Sequence, residues 1–284
     1  MIEIRHKETG EVLQQVDADS LVGADMRDMR LEGADLSQQD LTGAWLQHAD
    51  LVSADLSGSN LTGALLSAAH LNGASLAHAN LSKVKAGGDS RSQAAMMTDC
   101  NLQSARLDGA DLRYVEMRNC NLQEASLGHA DLRDADLYGA NLSGITAHNA
   151  LFIKTNLREA NLQGANLCDS HLNEANLIKA NLREARMESC NPEGFTVINL
   201  ANLEGADLSN ARMRNISAED TNLKHANLTN AELSHAVLGG AILRSANVTG
   251  TNFEGVELAT VTMEFANFSK ALNARIPPYK INLR

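Results

Sequence analysis

Apolar residues return at every fifth position along most of this chain. In the stretch TNLREANLQGANLCDSHLNEANLIKANL, from Thr155 to Leu182, a Leu fills each fifth place and an Asn or His precedes it. A period of five fits neither the helical 3.6 nor the strand period of 2. One register runs from Leu21 through Met26 and Leu31 to Leu81, a second from Leu102 to Met187, and a third from Leu203 to Phe268. The joins between them, 82–101 and 188–202, each add one residue to the count of five. A small residue, most often Ala, stands two places before the central apolar one, so the unit reads Ala-(Asp/Asn)-Leu-x-x.

Residues two apart on an extended segment point to the same side, so the small residue and the Leu share an inner face and the remaining residues must turn the chain. Each pentad is then one side of a polygon. A slower modulation suggests how many sides there are. Asn101, Asn121, Asn141, Asn161 and Asn181 recur every twenty residues, and the phase holding Arg106, Ser126, Thr146, Asn166 and Arg186 contains no acid. Twenty is four pentads, so four sides per coil are expected. Ala147, Pro192 and Ala218 stand where the central Leu belongs, and regularity is least expected there and at the joins. At the front, residues 1–20 alternate apolar positions around Thr9-Gly10, which suits a hairpin cap. At the back, 269–284 carry Leu272, Ile276, Tyr279, Ile281 and Leu283 around Pro277-Pro278. That tail caps the last coil, pairs with a second subunit's tail to make a homodimer, or does both. The chain thus divides into an N-terminal cap at 1–20, coils at 21–81, a projecting loop at 82–101, coils at 102–268 interrupted by the 188–202 join, and the tail.

The pentad, in the form of a small residue, Asp or Asn, Leu or Phe and two variable residues, resembles that of the pentapeptide-repeat family, and it covers most of 20–268. The resemblance implies an all-β fold, a right-handed quadrilateral β-helix of about twelve coils. It also implies a non-enzymatic protein-interaction module. In one branch of the family, members mimic DNA, bind DNA gyrase or topoisomerase IV and give resistance to topoisomerase poisons, with loops projecting from the rod to engage the enzyme. The alternative is a structural scaffold with an unidentified protein partner and no action on gyrase.

Composition sharpens this picture. Only 3% of the 284 residues are aromatic, so Leu and Ala must fill the core. The net charge of -11 opposes direct binding to nucleic acid or to an anionic membrane surface. The N-terminal residues contain no apolar signal-peptide core, and no run of eighteen apolar residues occurs, so the expected location is the cytoplasm. The 9 histidines are scattered, and the four cysteines include no C-x-x-C pair, so neither metal nor cofactor is expected. Cys100 and Cys120, twenty apart at the small inward position, read as two stacked core thiols, with a disulfide sterically conceivable. Phosphate loops and nucleophile elbows are lacking, and acids fall on outward positions, so no enzyme is expected.

Contact candidates are therefore surface features. Residues 1–81 hold twelve acids against four bases, whereas 199–284 hold eight of each. Either the acids simply serve the turns, bonding nearby amides, or they face a partner. Asp35 and Asp55, twenty apart, belong to that acidic part. Trp45, the one Trp, and Leu65, twenty residues on, are expected to stack on an outer wall. Within the first join, Lys83, Lys85 and Arg91 replace acids, and Gly87-Gly88 permits a turn away from the wall. That loop is either a contact element or a tolerated insertion.

Overall fold

The computed structural model describes residues 1–189 and 194–283. The chain falls into two compact units, Met1–Ile145 and Thr146–Arg284. Within each, single-residue parallel bridges join outward residues twenty apart, such as Asp25 to Trp45 in the first and Asn202 to Asn222 in the second. Four pentads therefore make one coil, as the modulation predicts, and each unit holds about six coils at a strand spacing of ~4.8 Å.

The pentad builds its corner the same way throughout. The carbonyl of the central Leu accepts from the N–H of the next small residue, as Leu31 does from Ala34 at 3.0 Å, closing a four-residue turn. The third residue of that turn has a positive φ, the mark of a type II turn, at nearly every corner, Thr260 and Lys270 being exceptions. Gly33 takes it at 65° without strain, and Gln38, His48 and Asp134 take it at 58°, 60° and 58°. Outside the turns, each central N–H reaches the next coil, as Leu31 does to Asp50 O at 2.7 Å, and each outward N–H reaches back, as Asp50 does to Met29 O at 2.9 Å. Leu and Ala sit inside with essentially no exposure, and Phe152 and Phe253 are the largest fully buried side chains. Each buried Leu contributes roughly 1.5–3 kcal/mol, spread along the stack.

Both joins are narrower than their sequence limits. In the first, Val84 and Ala86 are fully buried and Lys85 bridges both Leu65 and Asp111, so the coil runs unbroken through Ala86. Pairing resumes at Met96, 26 residues beyond His70, so the insertion is confined to 87–94 rather than 82–101. In the second, Met187 is buried, Arg186 bridges Asn166 and Arg212, and pairing returns at Val197. The break there lies within 188–196 rather than 188–202, and Pro192 falls outside the described residues. Ala147 and Ala218 do not interrupt anything. Both are fully buried, and their N–H groups reach Asn166 O and Val237 O at 2.8 Å, because backbone bonds and corner turns set the path and an Ala still points inward.

The ends are covered. Strands β1 (Ile2–Arg5) and β2 (Val12–Val16) form an antiparallel hairpin that buries Ile4 and Val16. Its continuation lies on one side of the first coil, where Arg5 O accepts from Asp35 N and Lys7 N donates to Gly33 O. At the other end a 3-10 helix, Pro278–Leu283, carries Lys280, whose Nζ donates to the carbonyls of Leu258 and Val261 at 3.2 and 2.6 Å. Tyr279 Oη donates to Ala259 O at 3.0 Å. The tail thus satisfies strand-edge carbonyls of the last coil.

Candidate functional site

The outward residues of residues 1–145 form four vertical rows. One row reads Asp25, Trp45, Leu65, Lys85, Asp111, Asp131. Trp45 is 44% exposed, with Leu65 half-buried beside it. The Arg27 guanidinium lies 5.0 Å from the Trp45 ring centroid and is held by Asp25 through two bonds of 2.8 and 2.6 Å. The side-chain bond from Arg27, followed by its backbone N–H, drives the Asp25 carboxyl down to about 2. Further along, Arg113 donates to both oxygens of Asp111 at 2.9 Å and approaches Asp131 and Asp89. Trp45 and Leu65 are therefore an apolar step between two sets of paired charges.

The candidate cations separate. Lys83 is a corner residue with φ 59°, and Lys85 sits in the Trp45 row, so neither belongs to the inserted loop. Only Arg91 does, exposed at its tip. The loop does not swing free at its base. Gly87 N and Gly88 N donate to Asp111 O and Arg113 O, and Ala95 N returns to Ala86 O. Neither glycine has positive φ. A Cβ on Gly87 would meet Arg113 N at 2.7 Å, so the glycine serves a close approach rather than a turn away from the wall. Between the loop and the corner residues His48 and Ala68 is a hollow of about 340 Å³.

Asp35 and Asp55 lie two sides round the coil from Trp45, on the opposite wall, so the seven residues singled out in the sequence do not form one site. Asp35 and Asp55 are stacked neighbours. Each carboxylate accepts from the N–H two residues on, Ser37 at 3.1 Å and Ser57 at 2.9 Å. Asp40 and Asp50, in adjacent rows, do the same to Thr42 and Val52. The Thr42 hydroxyl, then its N–H, holds the Asp40 carboxyl below the usual range. Among the described residues, none of Asp35, Asp40, Asp50 and Asp55 has a cation within ion-pair distance. The sequence reading passed over Asp40, Asp50, Arg27 and Arg113, although the twenty-residue spacing already aligned them with Asn60, His70, Gln47 and Arg133.

The acids serve the turns, yet the turn does not need the charge. Within a single row, Thr42 N reaches Asp40 Oδ1 at 3.1 Å, Thr62 N reaches Asn60 Oδ1 at 3.3 Å, and Ser82 N reaches Asn80 Oδ1 at 3.1 Å. Asn adds something that Asp lacks, an amide donor to the coil before it, as from Asn80 to Asn60 at 3.3 Å.

Cys100, Cys120 and Cys168 are buried, and Cys190 lies outside the described residues. Hydrogen bonding with Cys100, then burial, pushes the Cys120 thiol up, so Cys120 is held as protonated core sulfur. Among the described residues no group of three His, Cys, Asp or Glu could hold a metal, and no helix is long and apolar enough to cross a membrane.

The sequence model for pentapeptide repeats matches residues 20–58, 59–87, 116–152, 155–191, 201–240, 221–259 and 238–272. No curated protein matches the chain in sequence. Among solved structures it is similar to HetL, a pentapeptide repeat protein involved in heterocyst differentiation regulation from the cyanobacterium Nostoc sp. strain PCC 7120. The identity is 30% over 80% of this chain and 90% of HetL, with a TM-score of 0.43. It is also similar to QnrB1, a plasmid-mediated fluoroquinolone resistance protein, at 13% identity over 66% of this chain and 96% of that one, TM-score 0.41. A pentapeptide repeat protein of the Arabidopsis thaliana thylakoid lumen shares 23% identity over 51% of this chain and 77% of its own, TM-score 0.19. The chain belongs to the pentapeptide-repeat family, and its four-sided coils are that family's right-handed quadrilateral β-helix.

Proposed function

We propose that the protein is a non-catalytic, cytoplasmic interaction module whose residues 1–145 present an acidic surface to a basic protein partner. In its most specific form the partner is the DNA-binding surface of DNA gyrase or topoisomerase IV. The module occupies that surface in place of DNA and protects against topoisomerase poisons. One observation carries the reading, namely that the acid of residues 1–145 exceeds what the fold requires. This unit has twenty-one acids against eleven Lys and Arg, a net of -10, whereas the remainder has fourteen against thirteen. Asn performs the same turn bond and adds a ladder bond, so Asp at these places brings charge at no structural gain.

The charge density suits the role. About six coils at ~4.8 Å span roughly 29 Å, a length of duplex bearing about 17 phosphate charges at ~1.7 Å each. A net of -10 over that length is more than half of the DNA value. Supercoiling by gyrase, with and without a quinolone, is the test. The wild-type protein should inhibit supercoiling or rescue it from the drug, and the combined Asp35→Asn, Asp40→Asn, Asp50→Asn, Asp55→Asn variant should lose that effect while melting no lower. If wild type is inert across micromolar concentrations, gyrase is not the partner and the scaffold reading replaces it.

A homodimer through the C-terminal tail has its own supporting observation. Phe265, Leu272 and Tyr279 are 76%, 53% and 66% exposed near the last coil, although the tail already covers the strand edge there. Light scattering of wild type and a Phe265→Asp variant tests it, a monomeric wild type ruling the dimer out.

A further inference from the structure

The hollow under the 87–94 loop exists because the insertion leaves the wall after Gly88 and rejoins it at Ala95, so residues 89–93 stand beside the corner formed by His48 and Ala68. What its lining leaves unused decides what it can take. Arg113 is engaged with both oxygens of Asp111 and lies 3.9 Å from Asp131, so it is not free to receive an anion. Ser67 Oγ donates to Gly87 O at 3.0 Å. Asp89, by contrast, is 89% exposed on the lip and has one long contact of 3.5 Å, from Arg113 to Oδ1. The floor at Ala68 carries no side chain beyond a methyl group, His48, Ser92 and Gln93 complete the lining, and the neighbouring row of the wall reads Trp45, Leu65, Lys85.

A guest must therefore bring donors to a carboxylate and an apolar stem to lie on a methyl. An anion would meet Asp89 and find the nearest guanidinium taken. A planar, weakly hydrated cation on an aliphatic stem satisfies both demands, and its two parallel N–H groups can grip a carboxylate as a fork. The net charge of the surrounding unit, -10, draws the same kind of guest. We infer that this hollow is a receptor for an arginine side chain on the basic protein partner. The inference rests on the reading that residues 1–145 meet such a partner, and it places a specific anchor beside a diffuse acidic field.

Trp45 is the only Trp in the chain, so its emission reports on this wall alone. The full-length protein is titrated with the capped tripeptides Gly-Arg-Gly, Gly-Lys-Gly and Gly-Glu-Gly at millimolar concentration, following Trp45 emission and the backbone amide shifts of Gly88 and Ser92. The arginine peptide should give saturable shifts. The lysine peptide and the Asp89→Asn variant should each bind about tenfold more weakly, the loss of a forked charge pair, and the glutamate peptide should give none. Equal affinity for lysine and arginine, unchanged binding by Asp89→Asn, or no saturation with arginine overturns the receptor. The quadruple variant at Asp35, Asp40, Asp50 and Asp55 should keep its peptide response. If it also keeps full action on gyrase, the acidic-surface reading fails while the receptor stands.

Discussion

Residues 1–145 and 146–284 are built from the same pentad and the same corner turn, and they differ in what they place on the outward position before each Leu. In the first unit that position holds eight Asp and five Asn, whereas in the second it holds one Asp, Asp207, and eleven Asn. The second unit uses its amides in ladders, as Asn181 donates to Asn161 at 2.8 Å, Asn222 to Asn202 at 2.9 Å and Asn227 to Asp207 at 3.0 Å. The first does so where it can, from Asn121 to Asn101 and from Asn141 to Asn121, but stacks Asp35 on Asp55 where two acceptors face each other and repel. A fold that works with amides has been given carboxylates mainly on one unit. The contrast separates residues the coil needs from residues it merely carries.

The sharpest way to break the comparison is through the cores, which should be alike. Leu51→Asp in the first unit and Leu177→Asp in the second each bury an unpaired carboxylate, at a cost of several kcal/mol. Denaturant unfolding should show similar losses for both, while exposed Gln163→Asp changes little. A much smaller loss in one unit means that the units differ in more than their surfaces.

Next in size is the neutralisation of Asp35, Asp40, Asp50 and Asp55 to Asn. Four surface charges, Asp35 and Asp40 exposed and Asp50 and Asp55 half-buried, at roughly 0.5–1 kcal/mol each amount to about 2–4 kcal/mol of partner binding, a drop of tens- to hundreds-fold in gyrase affinity by titration. Stability should hold or rise, since the turn bond survives and the stacked charges go. The reciprocal change, Asn161, Asn181, Asn227 and Asn247 to Asp, should lower the melting temperature, because ladder bonds worth about 1 kcal/mol each become like-charge contacts. A stabilised reciprocal variant would mean the acids follow from the fold after all.

A smaller effect concerns acid. The carboxylates held below their usual range, Asp25 by Arg27, Asp40 by Thr42, and Asp111 by Arg113 against the opposing pull of burial, all belong to the first unit. A depressed folded pKa contributes stability that is complete above the unfolded value near 3.8 and is lost as pH falls through the folded one. Melting of residues 1–145 should therefore weaken between about pH 4 and 2. Carboxyl NMR titration midpoints at the unfolded value for all three would contradict it.

The coil was legible because each Leu and Ala does one thing, facing inward at a fixed interval, and because twenty-residue alignment follows from four equal sides. Trp45 over Leu65 was readable for the same reason. The insertion's limits were not. Lys83 and Lys85 look foreign among acidic neighbours, but side-chain charge does not decide whether a backbone stays in register, and the buried Val84 and Ala86 between them do. The site was harder still. Arg27 on Trp45 and Arg113 on Asp111 and Asp89 depend on where long side chains fold back, which spacing alone leaves open.

The smallest expected effect comes from the place where the repeat is most disturbed. Removing 89–94 joins Gly88 to Ala95, which leaves Ala86-Gly87-Gly88-Ala95-Met96-Met97 and restores five steps between two buried central residues. Gly88 would then occupy the corner that takes positive φ, a conformation open to glycine without strain. What is lost is the insertion's own turn, from Ser90 to Gln93, the contact of Asp89 with Arg113, and the burial of Ala94, one methyl. Shortening the connection recovers closure entropy that changes by only about 0.6 kcal/mol per doubling of length, so calorimetric stability should move by less than about 1 kcal/mol. Cutting 84–93 instead removes Val84 and Ala86 with one side of a coil, and should cost several kcal/mol by the loss of their burial and of the wall bonds at Lys85. If the 89–94 excision destabilises the protein as much as Leu51→Asp, the loop is a clamp on which the first unit depends. The two units would then differ in how they are held together as well as in charge.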